Sequence, residues 1–163
     1  MPDKKPLTGF SSTAIHSGHN TDENQSHLIP IYASSTYVFD SAEQGMRRFN
    51  GDEKGYIYGR WGNPTITEVE ETISALEAFG VNKNDVPLKL KTLLHASGMA
   101  ALSSLVLGNL KSGDKILSHF SLYGGTQELM EKVMPDLGIE VIIVDLRDLN
   151  KAEEAVKNDD KIK

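Results

Sequence analysis

Tyr58 and Arg60 stand two residues apart in the run Tyr56-Ile57-Tyr58-Gly59-Arg60-Trp61-Gly62-Asn63-Pro64-Thr65. In an extended segment such a pair points to one side, and a phenol and a guanidinium placed so can both donate to one phosphate. The same spacing also makes an ordinary solvated face, so the pair by itself leaves both readings open. A second stretch, His95-Ala96-Ser97-Gly98-Met99-Ala100-Ala101, joins a short apolar run to a helical pattern. A glycine at such a junction lets backbone N–H groups approach a ligand, and the start of the helix favours an anion such as phosphate. Plain packing of small residues is the alternative. The third stretch, Ser121-Leu122-Tyr123-Gly124-Gly125-Thr126, again comes just past a strand-like run. Its tyrosine can stack on a planar ligand or cover the top of a core.

The elements that must position these groups follow from the hydrophobic pattern. Residues 1 to about 62 are rich in Ser, Thr, Asn, Gly and Tyr, with short β-type pieces such as Ile29 to Phe39, and read as an extended arm. From Asn63 the character changes: Asn63 can cap, Pro64 suits the first helical position, and Ile66, Val69, Ile73 and Leu76 keep helical spacing until Gly80. After a polar loop through Asn82, Asn84 and Pro87, three units follow, each an apolar run leading into a helix. They are Thr92 to His95 with Met99 to Leu107, Lys115 to His119 with Gln127 to Leu137 and a stop at Gly138, and Val141 to Val144 with about Leu149 to Val156. This β-α-β-α-β-α order, with unbroken apolar runs such as Val141-Ile142-Ile143-Val144, predicts a parallel sheet covered by helices on both faces. Ligands in such sheets bind beyond the carboxyl ends of the strands, where the second and third stretches fall. Three strands make a small sheet, and the sequence ends at Lys163 where another strand is due, so a truncated domain is expected.

Composition narrows the classes. With 39% hydrophobic and 25% charged residues the chain is neither disordered nor fibrous. Seventeen Lys and Arg against twenty-three Asp and Glu give a net charge of −6, with the basic residues scattered, which speaks against nucleic-acid and anionic-membrane partners. There are no cysteines, no export signal and no run of apolar residues long enough to span a bilayer, so cytoplasm is the expected location. The match of Asn24-Gln25-Ser26 to a glycosylation sequon is read as chance. His16, His19, His27, His95 and His119 come without the partners a zinc site needs, so no metal is expected. Gly-x-Ser-x-Gly, Gly-x-Gly-x-x-Gly and Walker patterns are absent, which removes the corresponding hydrolase, dinucleotide and nucleoside-triphosphate readings.

Taken in order, the stretches resemble the Cys/Met metabolism family of pyridoxal-phosphate (PLP) enzymes, which includes cystathionine and methionine γ-lyases, cystathionine γ-synthase and O-acetylhomoserine sulfhydrylase. The resemblance rests on Ala14-Ile15-His16-Ser17-Gly18, Pro30-Ile31-Tyr32-Ala33-Ser34-Ser35-Thr36, Tyr58-Gly59-Arg60, Gly62-Asn63-Pro64-Thr65, Ser97-Gly98-Met99-Ala100-Ala101 and Leu122-Tyr123-Gly124-Gly125-Thr126, and covers essentially the whole chain. It implies an α/β fold of the fold type I, aminotransferase-like kind. Residues 1–62 would form an arm contacting a neighbouring subunit, and residues 63–163 the first half of the large PLP-binding domain.

By matching position, Tyr58 and Arg60 are expected to bind the cofactor phosphate of a neighbouring subunit, which calls for at least a dimer, and a dimer of dimers for the whole enzyme. Gly98 and Met99 would give backbone N–H groups to the phosphate of their own subunit. Tyr123 would stack on the pyridine ring and act in proton transfer. The resemblance further implies γ-elimination on a sulfur amino acid, with γ-replacement or a non-catalytic fragment as alternatives. Chains of this family run well over twice this length, and this one ends before their Schiff-base lysine. Lys89, Lys91 and Lys115 sit at or before strand starts and do not replace it. Gly125 stands where methionine γ-lyases typically carry a cysteine, which weakens that particular activity.

Overall fold

A computed structural model describes residues 7–19, 22, 24–83 and 86–163. The residues before Leu7, and Asn84 of the polar loop, lie outside the described residues. The chain divides into two compact units, one ending at Leu94 and the other beginning at His95.

In the first unit two short helices, α1 (Phe10–His16) and α2 (Ala42–Asn50), interrupt what the sequence suggested was a wholly extended arm. For α2 the signals are local. The Ser41 hydroxyl accepts from the Gln44 N–H, the Gln44 side chain accepts from the Asp40 N–H, and Gly51 closes the helix in the left-handed region at φ 81°. This reciprocal capping leaves few orphan backbone groups on a helix of nine residues. The long helix α3 (Pro64–Glu77) forms as expected, with Asn63 Oδ1 accepting from the Thr65 N–H at 2.9 Å and Pro64 in the first turn. The expected strand from Ile29 to Phe39 is reduced to one antiparallel bridge, Thr36 to Tyr58. A small antiparallel pair, β1 (Asn82–Lys83) with β2 (Val86–Pro87), stands where a plain loop was expected.

The arm is tied to α3 by close packing. Phe10 meets Phe79 edge-on at 5.5 Å, and the Thr72 hydroxyl donates to Ser17 O at 2.7 Å. Gly18 sits at φ 70°, and a Cβ there would run into the Glu68 carbonyl and come within 2.7 Å of Thr72 Oγ1.

The second unit carries the parallel sheet. Strands β3 (Lys115–His119) and β4 (Glu140–Val144) pair in parallel, Lys115 with Glu140 through His119 with Val144. Helix α4 (Gly98–Asn109) precedes β3, and α7 (Leu149–Asn158) follows β4. The crossover between the strands comprises α5 (Gly124–Glu128), a π-helical turn (Leu129–Val133) and α6 (Met134–Asp136). Pro135 accounts for the wide turn: it has no N–H to return to the preceding turn and its ring crowds the carbonyl four residues back. The Met134 N–H accordingly bonds to Leu129 O, five residues away. Val106, Leu129, Met130, Met134 and Ile139 form the core, with Met99, Leu110, Ile116, Leu122 and Val141 against it. At the far end of the unit Ile162 makes a parallel bridge to Lys115, whose ammonium pairs with Glu140 at 3.0 Å and Asp159 at 2.9 Å.

One expected strand does not form. Thr92 to His95 lies outside every ladder among the described residues, and α3 side chains engage part of it. The Leu94 N–H donates to Glu70 Oε1 at 2.9 Å and the Ser74 hydroxyl donates to Thr92 Oγ1 at 2.9 Å. A backbone amide spent on a side chain is not available to a neighbouring strand.

The positive φ and the crowded Cβ position at Gly18 predict that Gly18→Ala destabilises the protein by about 2 to 4 kcal/mol. Urea or thermal denaturation measures this, and an unchanged midpoint would show that the arm does not pack as described.

Candidate functional site

The start of α4 is built by Ser97. Its extended backbone makes it the cap: its hydroxyl accepts from the Ala100 N–H at 3.1 Å, and its carbonyl accepts from the Ala101 N–H at 3.0 Å. Those two bonds use the third and fourth amides of the helix. The first two, of Gly98 and Met99, precede any intrahelical acceptor and point out of the positive end of a twelve-residue helix. A Cβ on Gly98 would meet nothing within 4 Å, so the approach to these amides is open. This is the geometry in which a helix start receives a phosphate.

Tyr123 stands at the junction that follows β3, as the residue before α5. Its side chain makes no capping bond and the residue is 76% exposed. The structure brings it to Met99. A Cβ placed on Gly125 would lie 2.9 Å from Tyr123 Cε1 and 3.4 Å from Met99 Sδ, so the ring and the sulfur flank one bare α-carbon. Buried Thr126 fixes the second partner, its hydroxyl donating to Met99 Sδ at 3.6 Å. Three of the expected site residues, Gly98, Met99 and Tyr123, therefore gather at one place in the second unit. Gly125 and Thr126 complete it; both lie in the Leu122-Tyr123-Gly124-Gly125-Thr126 stretch that carries the resemblance, although neither was expected as a site residue.

In the first unit Tyr58 and Arg60 also come together, by a route the sequence did not indicate. The segment is not extended past Tyr58: the N–H groups of Trp61 and Gly62 both donate to Tyr58 O, at 2.8 and 3.1 Å, closing a turn. Arg60 stays close because its guanidinium lies over the Tyr58 ring at 5.4 Å and the Trp61 ring at 6.0 Å. With Thr36, Tyr37, Phe39, Phe49 and Ile57 these residues line an open depression of about 370 Å³. The neighbouring Asn63 and Thr65 are structural. Asn63 Nδ2 donates to Tyr32 O at 2.8 Å, and Thr65 Oγ1 accepts from the Tyr32 N–H at 2.9 Å and donates to Pro30 O at 3.2 Å, which holds the arm at the entrance to α3.

Beyond the carboxyl ends of the strands the charge is arranged for structure. Arg147 grips Asp145 with two nitrogens, at 2.8 and 2.9 Å, and this pairing holds the Asp145 carboxyl far below the usual carboxylate range. The Leu146 N–H donates to His119 Nδ1 at 3.2 Å, joining the ends of β3 and β4. Among the described residues no three His, Cys, Asp or Glu side chains are grouped to hold a metal ion.

Comparison with known proteins bears on the whole of this arrangement. Residues 11–162 match the sequence profile described as Cys/Met metabolism PLP-dependent enzyme. The chain is 39% identical over 155 residues to an L-methionine γ-lyase of Fusobacterium nucleatum, covering 95% of this chain and 37% of that protein. It is 36% identical over 138 residues to an O-acetyl-L-homoserine sulfhydrylase of Corynebacterium glutamicum, covering 84% of this chain and 29% of that one. Among solved structures, the cystathionine γ-lyase of Lactobacillus plantarum in complex with L-serine superposes with a TM-score of 0.74 at 29% identity, covering 95% of this chain and 35% of that one. The fold type I architecture expected from the sequence is thereby found, and the chain spans between 29% and 37% of the length of these curated relatives.

Ser97→Ala removes the cap of α4 and is expected to cost about 1 kcal/mol, whereas Ser97→Gly costs only a few tenths. Denaturation midpoints of the two variants check this, and an unchanged midpoint for Ser97→Ala would show that the hydroxyl does not carry the helix start.

Proposed function

The chain belongs to the Cys/Met metabolism PLP-dependent enzyme family, and from that membership we propose that the protein uses pyridoxal 5'-phosphate to eliminate the γ-substituent of a sulfur amino acid. Methionine or cystathionine would lose its γ-carbon–sulfur bond and yield a thiol, ammonia and an oxo acid. The observation that carries the proposal is the gathering of two outward amides and an exposed aromatic ring at the start of α4.

The residues fit the cofactor. A phosphate with close to two negative charges suits two N–H groups at the positive end of a helix, and the open space over Gly98 lets it approach. A flat pyridine suits the free face of Tyr123. When bound, the cofactor supplies the electron sink that stabilises a carbanion next to the amino group. The chain's own residues then hold and orient. Gly98 and Met99 would anchor the phosphate through their amides, and the Tyr123 ring would offer its face to the pyridine. The Tyr123 hydroxyl, free of any cap bond, would move a proton between the substrate and its own oxygen.

Tyr58 and Arg60 serve the phosphate held by a neighbouring subunit, so the site is complete only in a dimer, and residues 1–62 act as the arm that reaches across. The enzyme assembles as a dimer of dimers and works in the cytoplasm. No helix among the described residues is long and apolar enough to cross a membrane. A second reading, γ-replacement on an activated homoserine with sulfide, is favoured by the likeness to the O-acetyl-L-homoserine sulfhydrylase.

Incubating the full-length protein and PLP with methionine, with cystathionine, and with O-acetylhomoserine plus sulfide decides between the readings. Release of oxo acid and thiol from methionine or cystathionine is expected. Turnover of O-acetylhomoserine alone would transfer the assignment to replacement, and no PLP-dependent turnover at all would end both.

The sharing of the site has its own test. Arg60→Ala and Tyr123→Phe, each inactive or nearly so, should regain about a quarter of wild-type activity when the subunits are mixed, because half the sites in each mixed dimer are intact. No recovery would place Arg60 in the site of its own subunit.

A further inference from the structure

Resting on that reading, we infer that Trp61 is a positioning residue for Arg60: its indole, steadied by Phe49, seats the guanidinium on an aromatic face and leaves the N–H donors at its rim open to the cofactor phosphate. The arginines of this chain are held in two ways. Arg47 and Arg48 reach Glu53 at 2.9 and 3.3 Å, and Arg147 reaches Asp145 at 2.8 Å. Among the described residues no carboxylate pairs with Arg60, whose guanidinium lies 5.4 Å from the centre of the Tyr58 ring and 6.0 Å from that of the Trp61 ring. A cation over such faces is attracted without spending its N–H donors, which the rim of the planar group still presents.

The two rings differ in what else is asked of them. On the proposed reading the Tyr58 hydroxyl serves the phosphate as well, so its ring must follow the ligand. Trp61 has only the seat to provide, and its surroundings hold it still. Its backbone N–H donates to Tyr58 O at 2.8 Å within the turn that follows Tyr58. Its ring meets Phe49 edge-on at 5.7 Å and 86°, and Phe49 meets Phe39 in turn at 6.2 Å. Phe49 lies in the last turn of α2, and the neighbouring Arg48 donates to Tyr56 O at 3.4 Å, so the same helix end also grips the strand segment leading to Tyr58. The short helix of the arm thereby gains a part in the site, as the platform behind the seat. A long side chain loses rotamer freedom when it grips an anion, and a seat that has already taken some of that freedom raises the affinity for the phosphate. Trp61 is 62% exposed, so replacing it leaves no hole in a core.

The experiment titrates PLP, and separately pyridoxal, which lacks the phosphate, into full-length wild-type, Trp61→Leu, Trp61→Phe and Arg60→Ala proteins, following visible absorbance. Trp61→Leu keeps apolar bulk but has no aromatic face, and should weaken PLP binding about threefold while pyridoxal binding stays as in wild type. Trp61→Phe restores a face and should recover most of that loss. In an Arg60→Ala background, Trp61→Leu should have no further effect. Equal weakening of PLP and pyridoxal, unchanged PLP binding by Trp61→Leu, an equal loss in Trp61→Phe, or an effect that persists without the guanidinium would overturn the inference. A wild-type protein that binds no PLP, or an Arg60→Ala protein that binds it as tightly as wild type, would sink the proposed function or its phosphate role for Arg60 instead. The seat is then judged in the unliganded protein by the NMR resonance of the Arg60 Nε–H. Displacement upfield in wild type that is lost in Trp61→Leu supports the seat, and the same position in both removes it.

Discussion

The parallel register of β3 and β4 is the constraint on which the second unit depends. Five residue pairs, from Lys115 with Glu140 to His119 with Val144, make both strands end on the same edge, and parallel strands cannot be joined by a tight turn. The chain must travel back along the sheet, and it does so through residues 124–136 as a covering helical layer. That return fixes the site. Tyr123 sits where the crossover leaves β3, so its place is set by the ladder behind it, and the core residues Leu129, Met130 and Met134 hold the crossover down on the strands. Burying a side chain of that kind contributes about 1.5 to 3 kcal/mol, enough for a few of them to hold the layer.

The site in turn depends on what the backbone leaves unused. Every helix begins with amides that find no partner inside it, and Ser97 satisfies only the later two at the start of α4. The remaining pair, on the proposed reading the phosphate's binding group, costs the fold nothing further, because those amides must face solvent or a ligand in any case. An aromatic ring close by adds shape to what would otherwise be a site for any anion. On the proposed reading the junctions before α4 and α5 divide the labour, one supplying charge complementarity and the other a flat face.

Much of this was legible in the sequence, and the reasons are specific. Asn63-Pro64 announces α3, Gly138 announces the end of the crossover, and Val141-Ile142-Ile143-Val144 announces a strand, because in each case a local rule and the tertiary fold ask for the same thing. The failures come where they disagree or where the signal is short. Helix α2 was hidden in a polar arm although Ser41, Gln44 and Gly51 mark both its ends, since nine residues give too few turns for a convincing apolar period. The run Thr92 to His95 has the composition of a strand, but strands are made by neighbours, and α3 claims its polar groups first. The π turn reflects a single proline inside an otherwise helical pattern, whose effect on the turn before it cannot be read from periodicity.

Tyr58 and Arg60 show how a correct grouping can rest on an incorrect local structure. Spacing of two residues brings side chains together in an extended strand, yet here a turn replaces the strand and the pair is rejoined by the attraction of a cation for aromatic faces. The difference matters for what Arg60 can do. A guanidinium resting on Tyr58 and Trp61 has given up part of its side-chain freedom already, so ordering it around a phosphate costs less than ordering a solvated arginine. Both rings offer faces, not acceptors, so the five N–H donors at the rim of the guanidinium are not consumed by the packing. On the proposed reading, a ligand phosphate would compete for this guanidinium with weak aromatic contacts. A pairing such as that of Arg147 with Asp145, two bonds at 2.8 and 2.9 Å, is the opposite case, with the donors on that face already committed. The contrast separates an arginine held by aromatic faces from one paired with a carboxylate.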